Sequence, residues 1–233
     1  MQPNQLFIIL NKENMYFFKG TTLLFLLFVF SNIYADTKTI FVDEFKSLEL
    51  SGYFNVTLVQ GNSNEVTINA SEKLISFVQI NATASHLSIA FNEHPGPFRI
   101  INITIKFTQL EEIESRIHGY LNTKGFLNLE NLFLDIISYK PANLQLNVHK
   151  IDIDASGKGK IQLIGHTKKA NINTSMIGEF DASKFVADYL NVDASGSGNI
   201  LVNAKVEAST NNTGWLKISG GAPVVDSCPL EFG

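Results

Sequence analysis

Asp154 and Asp193 each open the same phrase, Asp-Ala-Ser-Gly, and Asn173 opens a degenerate copy between them. If the copies stack as rungs of a sheet, the two carboxyls stand two strand spacings apart, about 9.6 Å. Inverting glycosidases hold their paired carboxyls about 6.5–9.5 Å apart, so the column could in principle run acid–base chemistry on a sugar chain. The competing reading is turn chemistry. Asp or Asn ahead of Ser-Gly caps its own turn through the side chain, and such a polar ladder is what a repeated turn produces. With no third carboxylate in the phrase, the turn reading is preferred and no catalytic residue is assigned.

Other reactive patterns are weaker. Asp135, Asp152, Asp154, Asp181 and Asp188 supply acidic oxygens for calcium, but the Gly-Gly-x-Gly-x-Asp phrase of calcium β-rolls is missing. His86, His94, His118, His149 and His166 show no i,i+4 pair and no His-Glu-x-x-His, which leaves zinc unsupported. Gly157-Lys158-Gly159-Lys160 lacks phosphate-loop spacing. Cys228, beside Ser227, has no His partner in view that would make it a nucleophile. No metal and no cofactor are therefore expected. The aromatic residues Tyr53, Phe54, Tyr120, Tyr139, Tyr189 and Trp215 could stack on sugars if they face outward together. Their default expectation is core or cap packing.

The elements that would position these residues follow from the spacing. A Gly lies three residues after each Ser (Gly159, Gly178, Gly198), and a large apolar residue lies two further on (Ile161, Phe180, Ile200). A period near 20 means stacked units. The predicted rung strands are Leu132–Ile136, Ile151–Ala155, Ala170–Thr174 and Leu190–Ala194. Their inward sets are Ile151, Ile153, Ala155; Ala170, Ile172, Thr174; and Leu190, Val192, Ala194. Trp215, Leu216 and Ile218 are expected to close the stack, and Gly220-Gly221-Ala222-Pro223 to turn the chain out.

Upstream, period-two alternation at 47–50, 56–59, 66–69, 86–89 and 101–105 reads as strands with one buried face. Gly61-Asn62-Ser63-Asn64 reads as a hairpin turn, Ser71–Val78 as the one short helix-like stretch, and His94-Pro95-Gly96-Pro97 as a break. The expected fold class is all-β: a right-handed parallel β-helix-like solenoid with ~20-residue rungs and about six turns, preceded by a strand-rich N-terminal segment. Its parts are a strand-rich 36–110, a solenoid 111–226 and a tail 227–233.

Residues 1–35 read as a signal peptide: Lys12 and Lys19, the apolar run Thr21–Phe30, then Ile33-Tyr34-Ala35. The run is too short for a spanning helix, so no membrane span remains after cleavage. With net charge −4, a single cysteine and no basic run, nucleic acid and anionic membranes are poor partners. An exported chain without disulfides fits a bacterial envelope, in the periplasm, at the outer surface or outside the cell.

Leu48-Glu49-Leu50-Ser51-Gly52-Tyr53-Phe54-Asn55-Val56-Thr57-Leu58, the later Ser195-Gly196-Ser197-Gly198-Asn199-Ile200 and the closing Gly221-Ala222-Pro223 stand in this order. Together they resemble the auto-transporter adhesin head domain family, also called the GIN domain, over residues 40–226. Ser115-Arg116-Ile117-His118-Gly119 and Ser138-Tyr139-Lys140-Pro141 depart from its Ser-Gly-Ser-Gly core. The resemblance implies a β-helix-like stack in an exported protein. The expected function is a non-catalytic binding module, possible partners being a glycan or an envelope or host protein. The alternatives are a periplasmic interaction protein and, behind it, a β-helix polysaccharide-degrading enzyme.

Overall fold

The computed structural model describes residues 36–91, 100–212 and 215–226. The cleavage region, the Pro-Gly-Pro break and Cys228 lie outside them. No helix among the described residues is long and apolar enough to cross a membrane.

Four long strands carry the repeat: β11 (Ala142–Gly157), β12 (Lys160–Met176), β13 (Glu179–Ala194) and β14 (Asn199–Asn212). Each pairs with the next in parallel. The register Asp154↔Asn173↔Asp193 places the three phrases directly over one another, 19 and 20 residues apart. The chain is a β-solenoid of about six turns. All nine predicted inward residues are buried, from Val192 at 0% exposure to Leu190 at 5%. One rung cannot shield its apolar face, so each strand contributes every second side chain to a shared interior column. Ile161, Phe180 and Ile200 form one such column, all at 0%.

The earlier rungs are built from shorter strands: β2 (Ser47–Gly52), β3 (Phe54–Gln60), β6 (His86–Phe91), β7 (Ile101–Phe107), β8 (Glu112–Ile117), β9 (Leu121–Thr123) and β10 (Leu127–Ser138). In space β2 lies between β6 and β8, and β3 between β7 and β9, all in parallel. Sequence order and stacking order therefore differ at this end. The N-terminal strands share one hydrophobic core with the repeat.

At the outer N-terminal end β1 (Asp36–Phe41) and β4 (Glu65–Ala70) join β7 in antiparallel fashion. β5 (Val78–Ala82) joins β6 likewise, after the one-turn helix α1 (Glu72–Ile75). Antiparallel strands of this kind cover the open edge of a parallel stack.

The structure corrects three expectations. Gly61–Asn64 is no hairpin turn, because β7 lies between β3 and β4. The bend is held instead by Thr108 N–H donating to Asn64 Oδ1 at 3.0 Å and Gly61 N–H donating to the Phe107 carbonyl at 2.8 Å. Leu216 and Ile218 of β15 (Trp215–Ser219) do pack on the core, but Trp215 is 75% exposed. Period-two alternation sends Trp215 to the side opposite Ile200's interior column. The Gly220–Pro223 segment does not take the chain away. It forms one more corner, after which β16 (Val224–Asp226) pairs with β14.

The candidate binding surface

The Asp154–Asn173–Asp193 column exists as expected and is longer than the phrases indicate. Register carries it back through Asp135, Glu114 and Glu49 and forward to Asn211. The earlier members were missed because their rungs lack the Ser-Gly phrase, and only the strand register reveals them. Along the column amides meet carboxylates one rung away: Asn173 Nδ2 donates to Asp154 Oδ1 at 3.1 Å, and Asn211 Nδ2 to Asp193 Oδ2 at 3.5 Å. Arg116 Nη2 donates to Asp135 Oδ2 in a charge-assisted hydrogen bond, which holds its guanidinium above the ordinary value. Asp154, Asn173 and Asp193 are all exposed. The column is a rung-to-rung ladder on an open face.

The five acidic residues weighed for calcium do not converge. Asp152 takes Lys150 Nζ at 2.8 Å and the Asn171 amide. Asp188 faces His166 Nε2 at 3.4 Å. Asp181 lies in another column, under Gln162. Among the described residues no three His, Cys, Asp or Glu side chains are placed to share a metal.

Asp181 and Asp152 are the perturbed carboxyls. Burial pushes Asp181 up, but Ser183 Oγ at 2.6 Å, the Ser183 N–H at 3.1 Å, Gln162 and Lys160 outweigh it and bring it below its ordinary value. For Asp152, burial is likewise outweighed by hydrogen bonds from Lys150 and Asn171. A depressed folded-state value means stabilisation that is present above the unfolded pKa near 3.8 and is lost as pH falls through the folded one. The thermal midpoint is therefore expected to drop as the pH falls below about 4. The double variant Asp152→Asn/Asp181→Asn should show a shallower acid limb in a pH series of thermal melts. An unchanged limb would contradict the assignment.

The histidines serve separate local roles. His86 Nδ1 bonds Ser47 Oγ at 3.0 Å, while Nε2 lies 3.4 Å from Glu49. His118 is sandwiched between Tyr53 and Tyr139, with ring centroids at 4.7 and 4.3 Å. His149 is exposed, and His94 lies outside the described residues. The departing phrases thus occupy the same corner as the regular ones, with stacked rings in place of Ser-Gly. Gly157 follows Ser138 at this corner, and Met176 follows Gly157. The Gly-Lys-Gly-Lys phrase is this corner too: Gly157 has φ +115°, and Lys160 pairs with Glu179 at 2.9 Å.

Packing does not claim most of the aromatics. Phe54 is core, but Tyr120, Tyr139 and Tyr189 are 44–45% exposed and Trp215 more so. The core expectation is overturned for these four: Tyr189 and Trp215 occupy outward positions of β13 and β15, and Tyr120 and Tyr139 stand in the bends after β8 and β10. They do not form one patch. Tyr139 belongs to the corner stack, whereas Tyr189 lies in a separate cleft of about 300 Å³ with Lys169, Asn171, Asn191, Glu207 and Ser209.

Comparison with known proteins bears on both fold and role. Residues 44–222 match the family described as "Putative auto-transporter adhesin, head GIN domain". No curated protein matches the chain. A crystal structure of a "putative adhesin" from Bacteroides fragilis superposes with a TM-score of 0.75 at 19% identity, over 84% of this chain and 93% of the other. A "putative lipid binding protein" from Parabacteroides distasonis gives 0.58 at 14%, over 84% and 97%. At these identities the likeness concerns the fold.

Proposed function

We propose, from the premise that the chain belongs to the auto-transporter adhesin head family of GIN domains, that it is an exported, non-catalytic binding module displayed at the cell surface. The family and its adhesin-like neighbours support a binding role. The observation that carries the reading is the exposed face itself, a column of polar side chains repeated rung after rung from Glu49 to Asn211. A repeated face binds through many shallow contacts, each modest, whose combined strength grows with their number. Cells carrying the protein should adhere to a glycan- or host-protein-coated surface more than cells in which its gene is deleted. Equal adhesion across a broad set of coatings would sink the reading.

The enzyme alternative makes a separate prediction. Asp154 and Asp193 stand exposed and accept hydrogen bonds from asparagine amides, the arrangement of a structural ladder. Asp154→Asn/Asp193→Asn should therefore shift stability by no more than about 1 kcal/mol. Release of reducing sugar by the native protein that the double variant abolishes would establish a hydrolase.

One observation favours a second reading, a partner in the envelope. Among the described residues β15 pairs only with β14, which leaves its other edge open there, and it carries Trp215 at 75% exposure. An added strand from another protein could pair there. Co-purification of a single envelope protein that is lost in Trp215→Ala would support that partner.

A further inference from the structure

We propose that the cleft around Tyr189 is a saccharide subsite that takes one neutral pyranose ring. The inference rests on the binding reading above and assigns it a place and a ligand class.

The cleft has a structural cause. β13 and β14 pair from Glu179↔Asn199 to Asp181↔Leu201, resume after a register shift at Val186↔Asn203, and shift again beside the cleft, where Ala187 pairs with Ala204 whereas Tyr189 pairs with Glu207. Two steps on one strand meet three on the other, a bulge of one residue at Lys205–Val206. Lys205, Val206 and Glu207 are consecutively exposed, where a regular strand would bury every second residue. A bulge re-aims side chains and opens the ladder locally. Here it leaves an open depression of about 300 Å³ beside Tyr189, at the lower end of the roughly 300–1,000 Å³ typical of small-ligand sites.

On neighbouring rungs several polar groups are spent on one another: Lys150 with Asp152, Asn173 with Asp154, Lys160 with Glu179. Around the cleft, Lys169, Tyr189, Asn191, Glu207 and Ser209 make no side-chain hydrogen bond and no close ion pair among the described residues. Lys169, Tyr189 and Glu207 follow one another down a single column, with Asn171, Asn191 and Ser209 in the column beside it.

This inventory selects the ligand. The half-exposed Tyr189 ring offers an apolar face with a polar tip, which suits the C–H face of a pyranose. Asn191 and Ser209 each donate and accept, whereas Lys169 only donates and Glu207 only accepts. A ligand that satisfies all four must present both donors and acceptors, which a row of sugar hydroxyls supplies at every position. An anionic group would meet Glu207, and a cationic one Lys169, at like charge.

The test is amide-resolved NMR of the purified protein titrated with methyl glycosides of glucose, galactose, mannose and N-acetylglucosamine. At least one should perturb residues 169–171, 189–191 and 207–209. Tyr189→Ala should raise its Kd about tenfold or more, Tyr189→Phe much less, and Tyr120→Ala not at all. Unchanged thermal melts would show that the variants fold, as expected at half-exposed positions. Perturbation on another face, indifferent to Tyr189→Ala, overturns the subsite and leaves the binding reading standing. Silence with all four sugars, or binding of only charged sugars, overturns the neutral-saccharide assignment. The binding reading would then be decided separately by the adhesion comparison.

Discussion

Replacing Gly178 by alanine is expected to destabilise the protein by about 3 kcal/mol or more, although the change adds a single methyl group. A β-carbon at Gly178 would stand 1.9 Å from the carbonyl oxygen of Gly159, the equivalent corner one rung away. Gly198 stands in the same relation to the carbonyl of Gly178, again at 1.9 Å. The glycines three residues after each Ser thus form a column in which backbone lies on backbone. No rotamer relieves that contact, so the rungs themselves must separate, at a place where each holds its neighbour in register. At this chain size about 1 kcal/mol corresponds to roughly 2–4 °C in the melting midpoint. The control is Gly125→Ala, where a β-carbon meets nothing within 4 Å and the φ of +82° is the sole obstacle. Left-handed backbone costs a non-glycine residue about 1–2 kcal/mol. Differential scanning calorimetry of the two variants gives the comparison. A Gly178→Ala protein as stable as Gly125→Ala would refute the close corner.

Phe180→Ala is the second large effect, expected at about 3–5 kcal/mol. Phe180 is fully buried between Ile161 of the rung on one side and Ile200 of the rung on the other. Truncation removes the ring's contacts and leaves a void that straight, hydrogen-bonded rungs cannot collapse into. The same deletion at Ile177, three residues away and 59% exposed, should change stability by no more than about 0.5 kcal/mol. Denaturant unfolding of the pair measures the difference, and similar midpoints would contradict the interior column.

The repeat was legible because its cause is local. A Gly column, an alternating inward set and a Ser-Gly turn each leave their own residues at a fixed period, so Ile151, Ile172 and Val192 were placed inside from spacing alone. The N-terminal end was less legible because its pairing is non-local. Nothing in Gly61–Asn64 shows that β7, some forty residues later, comes between the strands that turn joins. The polar column illustrates the same limit. Asp154, Asn173 and Asp193 declared themselves by a shared phrase, but Glu49, Glu114 and Asp135 join them only through strand register. The Tyr189 cleft was the least legible of all, because it comes from one extra residue at Lys205–Val206 that disturbs no motif. Tyr189 itself was noticed as an aromatic, while its partners Lys169, Asn191, Glu207 and Ser209 carry no sequence signature of a site.

The central claim, a binding module displayed at the cell surface, is tested most directly by protease shaving of intact cells that express a C-terminally tagged copy. The account predicts loss of the tag from whole cells while a periplasmic control protein survives. Protection of the tag until the outer membrane is permeabilised would contradict surface display and turn the search toward periplasmic partners.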